Sequence, residues 1–224
     1  MRSEMRDALR SYSDGDWEGA LKILSEARLS EEEFADSAYL LGLCQVRLGN
    51  FDEALLYLEQ VVTAEADPAR LYQCRMALAY IYAVTGRVKL AEYELARLRE
   101  SGYESAQICA ALGYTAWIQG NIDESLEWYG RALDLEPSHP TSLNGLGYVL
   151  AYRGDDLTRA LSCCRKAVEA RPNNPAYQDS LGWVYLKLGF FDEAETWLER
   201  ALKGAPEERE VQEHVRTLRE LKTL

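Results

Sequence analysis

The chain is poor in the residues that usually carry chemistry. Of its 224 residues two are histidines, His139 and His214. Neither has a His, Cys or acidic residue at ligand spacing, which argues against a metal site. Five cysteines, an odd number, are scattered as Cys44, Cys74, Cys109, Cys163 and Cys164. None forms a CxxC pair, so they read as buried, reduced thiols in a reducing compartment. Cys163 and Cys164 are adjacent, and neighbours on a helix point about 100° apart, which argues against a shared metal or redox role. No apolar run approaches the roughly 18 residues of a membrane span. The N-terminal stretch MRSEMRDALRSYSDGDW lacks the apolar core of a signal peptide. G-x-S-x-G, a phosphate loop and a G-x-G-x-x-G following a strand are all absent. These absences point to a cytoplasmic non-enzyme with no catalytic residues, no metal and no cofactor. A net charge of −12 with no cluster of Lys and Arg excludes nucleic acid and disfavours an anionic membrane surface.

One phrase is present twice. Residues 49–60 read GNFDEALLYLEQ and residues 189–200 read GFFDEAETWLER. Weaker copies fill the gap. The opening glycine recurs as Gly15, Gly49, Gly86, Gly120, Gly154 and Gly189, at spacings of 34 to 37 residues. The Ala five or six residues later recurs as Ala20, Ala54, Ala91, Ala160 and Ala194, with Ser125 in the remaining slot. A fixed period near 34 is a repeat signature.

Residues 106–139 show what one copy contains. Apolar and small residues fall at Cys109, Leu112, Gly113 and Ala116, then at Ile122, Tyr129 and Ala132. Spacings of three and four give one helical stripe in each half. Gly120-Asn121 is a helix stop and turn, Pro137 ends the second helix, and Pro140 opens the next. Each copy is therefore helix, turn, helix, turn. Gly113 and Ala132 allow close approach of the axes, and one pair cannot bury both stripes without a stacked neighbour. The copies are set at 1–34, 35–68, 72–105, 106–139, 140–174 and 175–208. Ala69, Arg70 and Leu71 are an extra near-turn that lengthens the next first helix, and the turn GDDL holds one extra residue. The first copy carries Glu4 and Asp7 where others bury apolar groups, so it is expected to fray or to cap. A thirteenth helix over 209–224 turns Val211, Val215 and Leu218 inward as a second cap. The acidic pairs Asp52-Glu53, Asp123-Glu124 and Asp192-Glu193 open second helices, where they complement the helix dipole rather than do acid–base work.

The pattern resembles the tetratricopeptide repeat: LG, an aromatic, G-x-aromatic-D-E-A, then A and P. Residues 175–208 match best, with Leu181, Gly182, Tyr185, Gly189, Phe191, Ala194, Leu198, Ala201 and Pro206. The resemblance implies an all-α fold, an α-α superhelix (solenoid) of six helix pairs plus the capping helix, as a single domain over 1–224. It also implies that positions 2, 5, 9, 12 and 13 of each copy face a concave groove. Those positions include Tyr39, Arg47, Tyr80, Tyr114, Trp117, Asn144, Tyr148, Tyr152, Asp179, Trp183 and Lys187. The result is a ladder of aromatics with few charges, in which Asp179 and Lys187 mark the edge. Such rings serve either as anchors for a bound peptide or as packing between neighbouring helices. Co-chaperones of the family grip a C-terminal carboxylate and need Asn at position 9. That Asn is absent from all six copies, which argues against a carboxylate clamp.

The reading is a protein-interaction scaffold that takes a partner's peptide or helix in the groove. The alternative is a self-associating, homo-oligomeric scaffold in which the first copy or the capping helix packs into a second chain. A weaker third is a subunit whose chemistry lies in its partner. The chain is also similar to bacterial multi-repeat proteins that assemble envelope and pilus complexes, though without a lipid-anchor cysteine after its N-terminus.

Overall fold

The computed structural model describes residues 3–27, 31–64 and 67–223. Among them are thirteen helices and no strand. They fall into two compact units, Met1–Tyr103 and Glu104–Leu224. The first holds α1 (Ser3–Ser13), α2 (Trp17–Glu26), α3 (Glu31–Leu48), α4 (Phe51–Ala64), α5 (Pro68–Val84) and α6 (Val88–Glu100). The second holds α7 (Ala106–Ile118), α8 (Ile122–Leu135), α9 (Pro140–Arg153), α10 (Leu157–Ala170), α11 (Pro175–Lys187), α12 (Phe191–Gly204) and α13 (Arg209–Lys222).

The recurrent glycine is the device that reverses the chain. Gly15, Gly49, Gly86, Gly120, Gly154 and Gly189 all take φ between 77° and 83°, a left-handed conformation that costs a side-chain-bearing residue about 1–2 kcal/mol. After α7, the Gly120 N–H donates to the Trp117 carbonyl and the Asn121 N–H to the Ala116 carbonyl, both at 2.9 Å. That pair of bonds satisfies carbonyls left over at a helix end, and it recurs after α1, α3, α5, α9 and α11. The extra residue of GDDL is absorbed by Asp156, the one non-glycine at positive φ among the described residues (33°). Its carboxylate accepts from the Arg159 N–H at 3.0 Å and so caps α10. Pro68, Pro140 and Pro175 open α5, α9 and α11 behind Asp67, His139 and Asn174, whose side chains accept from the first-turn amides.

Small residues let paired helices approach. A Cβ added to Gly113 would meet the Tyr129 ring at 3.0 Å, and one on Gly182 would meet Leu198 at 2.7 Å. Ala132, Ala167 and Ala201 are fully buried on the second helices. Ser125, which replaces the usual Ala, is buried too, and its hydroxyl donates to the Gly113 carbonyl at 2.8 Å. It thereby ties α8 to α7 without leaving a polar orphan.

Adjacent first helices bond at the period of the sequence. In the first unit, Tyr39 donates to Gln73 and Arg70 pairs with Asp36, and from the turn after α6 the Tyr103 hydroxyl donates to the Pro68 carbonyl at 3.3 Å. In the second, Thr141 and Tyr177 lie 3.0 Å apart. The acidic residues that open second helices also reach a later basic side chain: Asp52 to Arg87, Asp123 to Arg153 at 2.7 Å, and Asp192 to Lys222 at 3.0 Å. In the first unit the largely buried pair Arg75–Glu94, at 2.5 Å, joins α5 to α6. Burial pushes the Glu94 carboxyl up and Arg75 opposes it.

The expected elements appear, with shifts at their ends. The extra residues 69–71 lengthen α5, which starts at Pro68. Helix α3 starts at Glu31, four residues before the copy boundary set at 35, and the stretch just before it lies outside the described residues. The first copy is docked by Met5 and Ala8, which pack with Ala20, Leu24, Leu40 and Cys44 while Glu4 and Asp7 stay exposed. All five thiols are buried. Burial holds the Cys44 thiol up at about 11 and pushes Cys163 and Cys164 up as well.

Two measurements follow from this packing. Ala132→Leu and Ala201→Leu each overfill a helix crossing and should cost about 1–3 kcal/mol, whereas Glu136→Leu, at an exposed site, should change stability by less than about 0.5 kcal/mol. Equal melting temperatures for all three would refute the register. The second concerns His139, whose Nδ1 accepts from the Ser142 N–H and caps α9. Burial lowers its pKa, with Arg171 adding to the fall and Glu136 opposing it. A lowered folded-state value means that the unfolded chain takes up the proton first. Stability is therefore complete above the ordinary histidine value of about 6.5 and is lost as pH falls through the lowered one. His139→Asn keeps a capping acceptor that does not titrate, so its melting temperature should gain on the parent's as pH drops below about 6.5. Parallel curves would show that the cap is not linked to protonation.

Candidate functional site

The first helices of the second unit carry most of the aromatic ladder, and the structure divides it into an open part and a covered part. The open part centres on Trp117 of α7. Its ring meets Tyr148 edge-on at 5.4 Å and Tyr152 at 4.7 Å, both from α9. Tyr152 is 54% exposed and Tyr114 39%, and Ile118 stands exposed beside them. The rings thus divide by burial: Trp117 is partly buried by its neighbours, while Tyr114 and Tyr152 are exposed.

The covered part lies under α13. The Trp183 indole stacks on the His214 imidazole, with ring centroids 4.3 Å apart and planes 18° from parallel. The Lys187 ammonium sits 5.3 Å from the centre of the same indole, a cation–π contact. His214 Nδ1 lies 2.9 and 3.0 Å from the two carboxylate oxygens of Asp179 and donates to them. The Tyr148 hydroxyl donates to Glu210 of α13. Burial first, then Glu210, pushes the Tyr148 phenol far above the ordinary range, which keeps it a donor. Asn144 Oδ1 and Trp183 Nε1 are buried without a protein hydrogen-bond partner.

Asp179, expected at the strip's edge, is instead 4% exposed and roofed by His214. A carboxylate at that position stays in place because the arriving helix brings it a donor. His214, without an acidic residue at ligand spacing along the sequence, meets Asp179 across one repeat. The signal was available: His214 and Asp179 are 35 residues apart, one period, and residues one period apart are lateral neighbours in a stack of repeats.

In the first unit the sequence-selected residues do not form one cluster. Tyr39 donates to Gln73 and lies under the Arg70 guanidinium, 5.7 Å from its ring centre. Burial raises its phenol pKa. Arg47 is exposed, and its Nε lies 3.5 Å from the Tyr12 hydroxyl. Tyr80 is exposed and meets Phe51 edge-on at 6.1 Å.

Among the described residues no group of three or more His, Cys, Asp or Glu side chains is arranged to hold a metal ion. Searched over the same residues, no helix is long and apolar enough to cross a membrane. What the first-helix face does offer is flat rings, hydroxyl donors and an ammonium group.

Three models of the tetratricopeptide repeat match this chain, over residues 11–73, 110–175 and 176–205. The TPR repeat-containing protein PA4667 of Pseudomonas aeruginosa is 38% identical over 72 residues, which is 32% of this chain and 12% of that protein. The chain thus spans about an eighth of that relative's length. Among solved structures, the APC/C hetero-tetramer Cut9-Hcn1 matches with a TM-score of 0.78 at 15% identity, over 96% of this chain and 42% of the other. Pseudomonas aeruginosa pilF matches with a TM-score of 0.62 at 18% identity, over 86% of each chain. Both structural likenesses speak to the fold. Taken with the helix pairs, the left-handed glycines and the repeat models, they place this chain in the tetratricopeptide repeat family.

Proposed function

We propose that the chain is a non-enzymatic protein-interaction scaffold and that the first-helix face of its second unit takes an apolar or aromatic segment of a partner protein. Proteins of this repeat family are interaction scaffolds, and Cut9 is seen in a hetero-tetramer with Hcn1. The observation that carries the reading is the exposure of Tyr114, Ile118 and Tyr152 around the Trp117 ring. Contiguous exposed apolar surface on a folded protein marks a binding site, and aromatic side chains give large contact area with few torsions to freeze. Tyr152 and Tyr114 are the side chains a partner would meet first.

A second reading has its own observation. On the second helices of the first unit, Leu56 is 72% exposed, and Leu90 and Tyr93 are exposed as well. These apolar residues on α4 and α6 support self-association through the first unit.

Two experiments test these readings. Immobilised parent and Tyr152→Ala or Tyr114→Ala proteins are compared for the chains they capture from the native cell, identified by mass spectrometry. Both variants should melt with the parent, and each should weaken the captured interaction by about 2 kcal/mol, roughly thirtyfold. Unchanged capture by both would remove the groove reading. Light scattering decides the second: a mass that rises with concentration and falls back on Leu56→Glu is expected of self-association, and a constant monomer mass refutes it.

A further inference from the structure

Helix α13 meets the rest of the second unit through a polar seam as well as an apolar stripe. Val211, Val215 and Leu218 are buried, and so is His214 between them. Glu210 and His214 reach Tyr148, Asp179 and Trp183 across the seam. Among the described residues His214 is the sole hydrogen-bond partner of the Asp179 side chain. A buried carboxylate needs such a donor, whereas an apolar pair of similar volume would hold a permanent cap at least as well. The corresponding residues of α7 and α9 are Ala110 and Asn144, neither of them charged. A seam of this kind selects which helix may arrive, because a helix without the donor leaves the carboxylate unpaired.

The face is not fully matched by α13. Asn144 Oδ1 and Trp183 Nε1 remain buried without a protein partner. Lys187 is exposed and forms no ion pair among the described residues. The seam is also continuous with the open aromatic part, since Tyr148 touches both Trp117 and His214.

We propose that α13 is an exchangeable occupant of this face, and that the face accepts in its place an amphipathic helix of a partner protein with the same signature. That signature is a carboxylate side chain, a nitrogen-bearing ring four residues later, and an apolar stripe beside them. An additional acidic residue facing Lys187 would let the partner helix outcompete α13. The inference rests on the reading of the first-helix face as a binding surface, but it concerns the covered residues Tyr148, Asp179 and Trp183 rather than Tyr114 and Tyr152.

The test uses the full chain and a fluorescent peptide of residues 207–224, followed by anisotropy. In the parent the tethered α13 competes with the peptide. Val215→Asp should undock α13, and a cis occupant present nine-tenths of the time lowers apparent affinity about tenfold. The peptide should therefore bind the Val215→Asp protein at least about tenfold more tightly than the parent, and adding Trp183→Ala should abolish that binding. No peptide binding to a Val215→Asp protein that keeps its helical circular dichroism would overturn the proposal, and so would equal binding by parent and variant. If Val215→Asp fails to fold, His214→Ala takes its place in the same comparison. Hydrogen exchange on the parent gives an independent reading: α13 amides should exchange faster than those of α11, and equal protection refutes exchangeability. Tyr152→Ala separates this proposal from the open-face reading. It should leave binding of the 207–224 peptide unchanged whatever it does to capture of cellular partners.

Discussion

Every first helix in this chain has to reverse within a few residues, and a left-handed residue after its last turn makes that reversal available. Six glycines supply it, each with the same pair of backbone bonds closing the helix end. Once the reversal is set, the two helices lie side by side, and the small residues facing each other fix how close they come. Gly113 against Tyr129 and Gly182 against Leu198 leave no space for a methyl group. Within each unit, that closeness leaves a pair with an apolar stripe on its flank, which the next pair of the same unit covers. The order of dependence runs from turn to pair to stack, and the first-helix face is what the stack leaves over.

That order explains what could be read from the residues. The turn glycine, the small crossing residues and the opening prolines act within one copy, so a period of about 34 exposes them directly. The length change at residues 69–71 and the extra residue of GDDL were legible for the same reason, as departures from a fixed count. The contacts between copies were less so. Ser125 stands in an alanine slot, and nothing in its neighbours says that it bonds back to Gly113. Asp179 looked like an edge charge because its donor comes from α13, which the repeat pattern treats as a cap rather than as one more first helix. The choice between ring stacking and ring exposure depended on which neighbour arrives: Trp117 is enclosed by Tyr148 and Tyr152, while Tyr152 itself has no later ring over it.

Three buried polar groups of this protein each depend on a partner farther along the chain or on a facing helix. Ser125 is buried and matched within its own pair. Glu94 is buried and matched by Arg75 on the facing helix. Among the described residues Asp179 is matched only by α13. The farther the partner lies along the sequence, the more the buried group reports on whether the fold is complete, because a lost distant partner leaves a charge without a donor. Asp179 in this sense acts as a check on the C-terminal end of the second unit.

The lateral bonds recur at a fixed offset: Asp36 to Arg70, Tyr39 to Gln73, Pro68 to Tyr103, Thr141 to Tyr177 and Asp179 to His214 are each 34 to 36 residues apart. A chain bonded in this way is quantised in length. Removing or adding a few residues inside a helix would shift the side chains just beyond it out of reach of their partners in the preceding copy. Adding them at a helix start, as at residues 69–71, or at a turn, as at Asp156, leaves the later register intact. Gain or loss of a whole period keeps the grammar of the contacts. Chains of this kind can therefore change their reach in module-sized steps while each remaining module keeps the same neighbours.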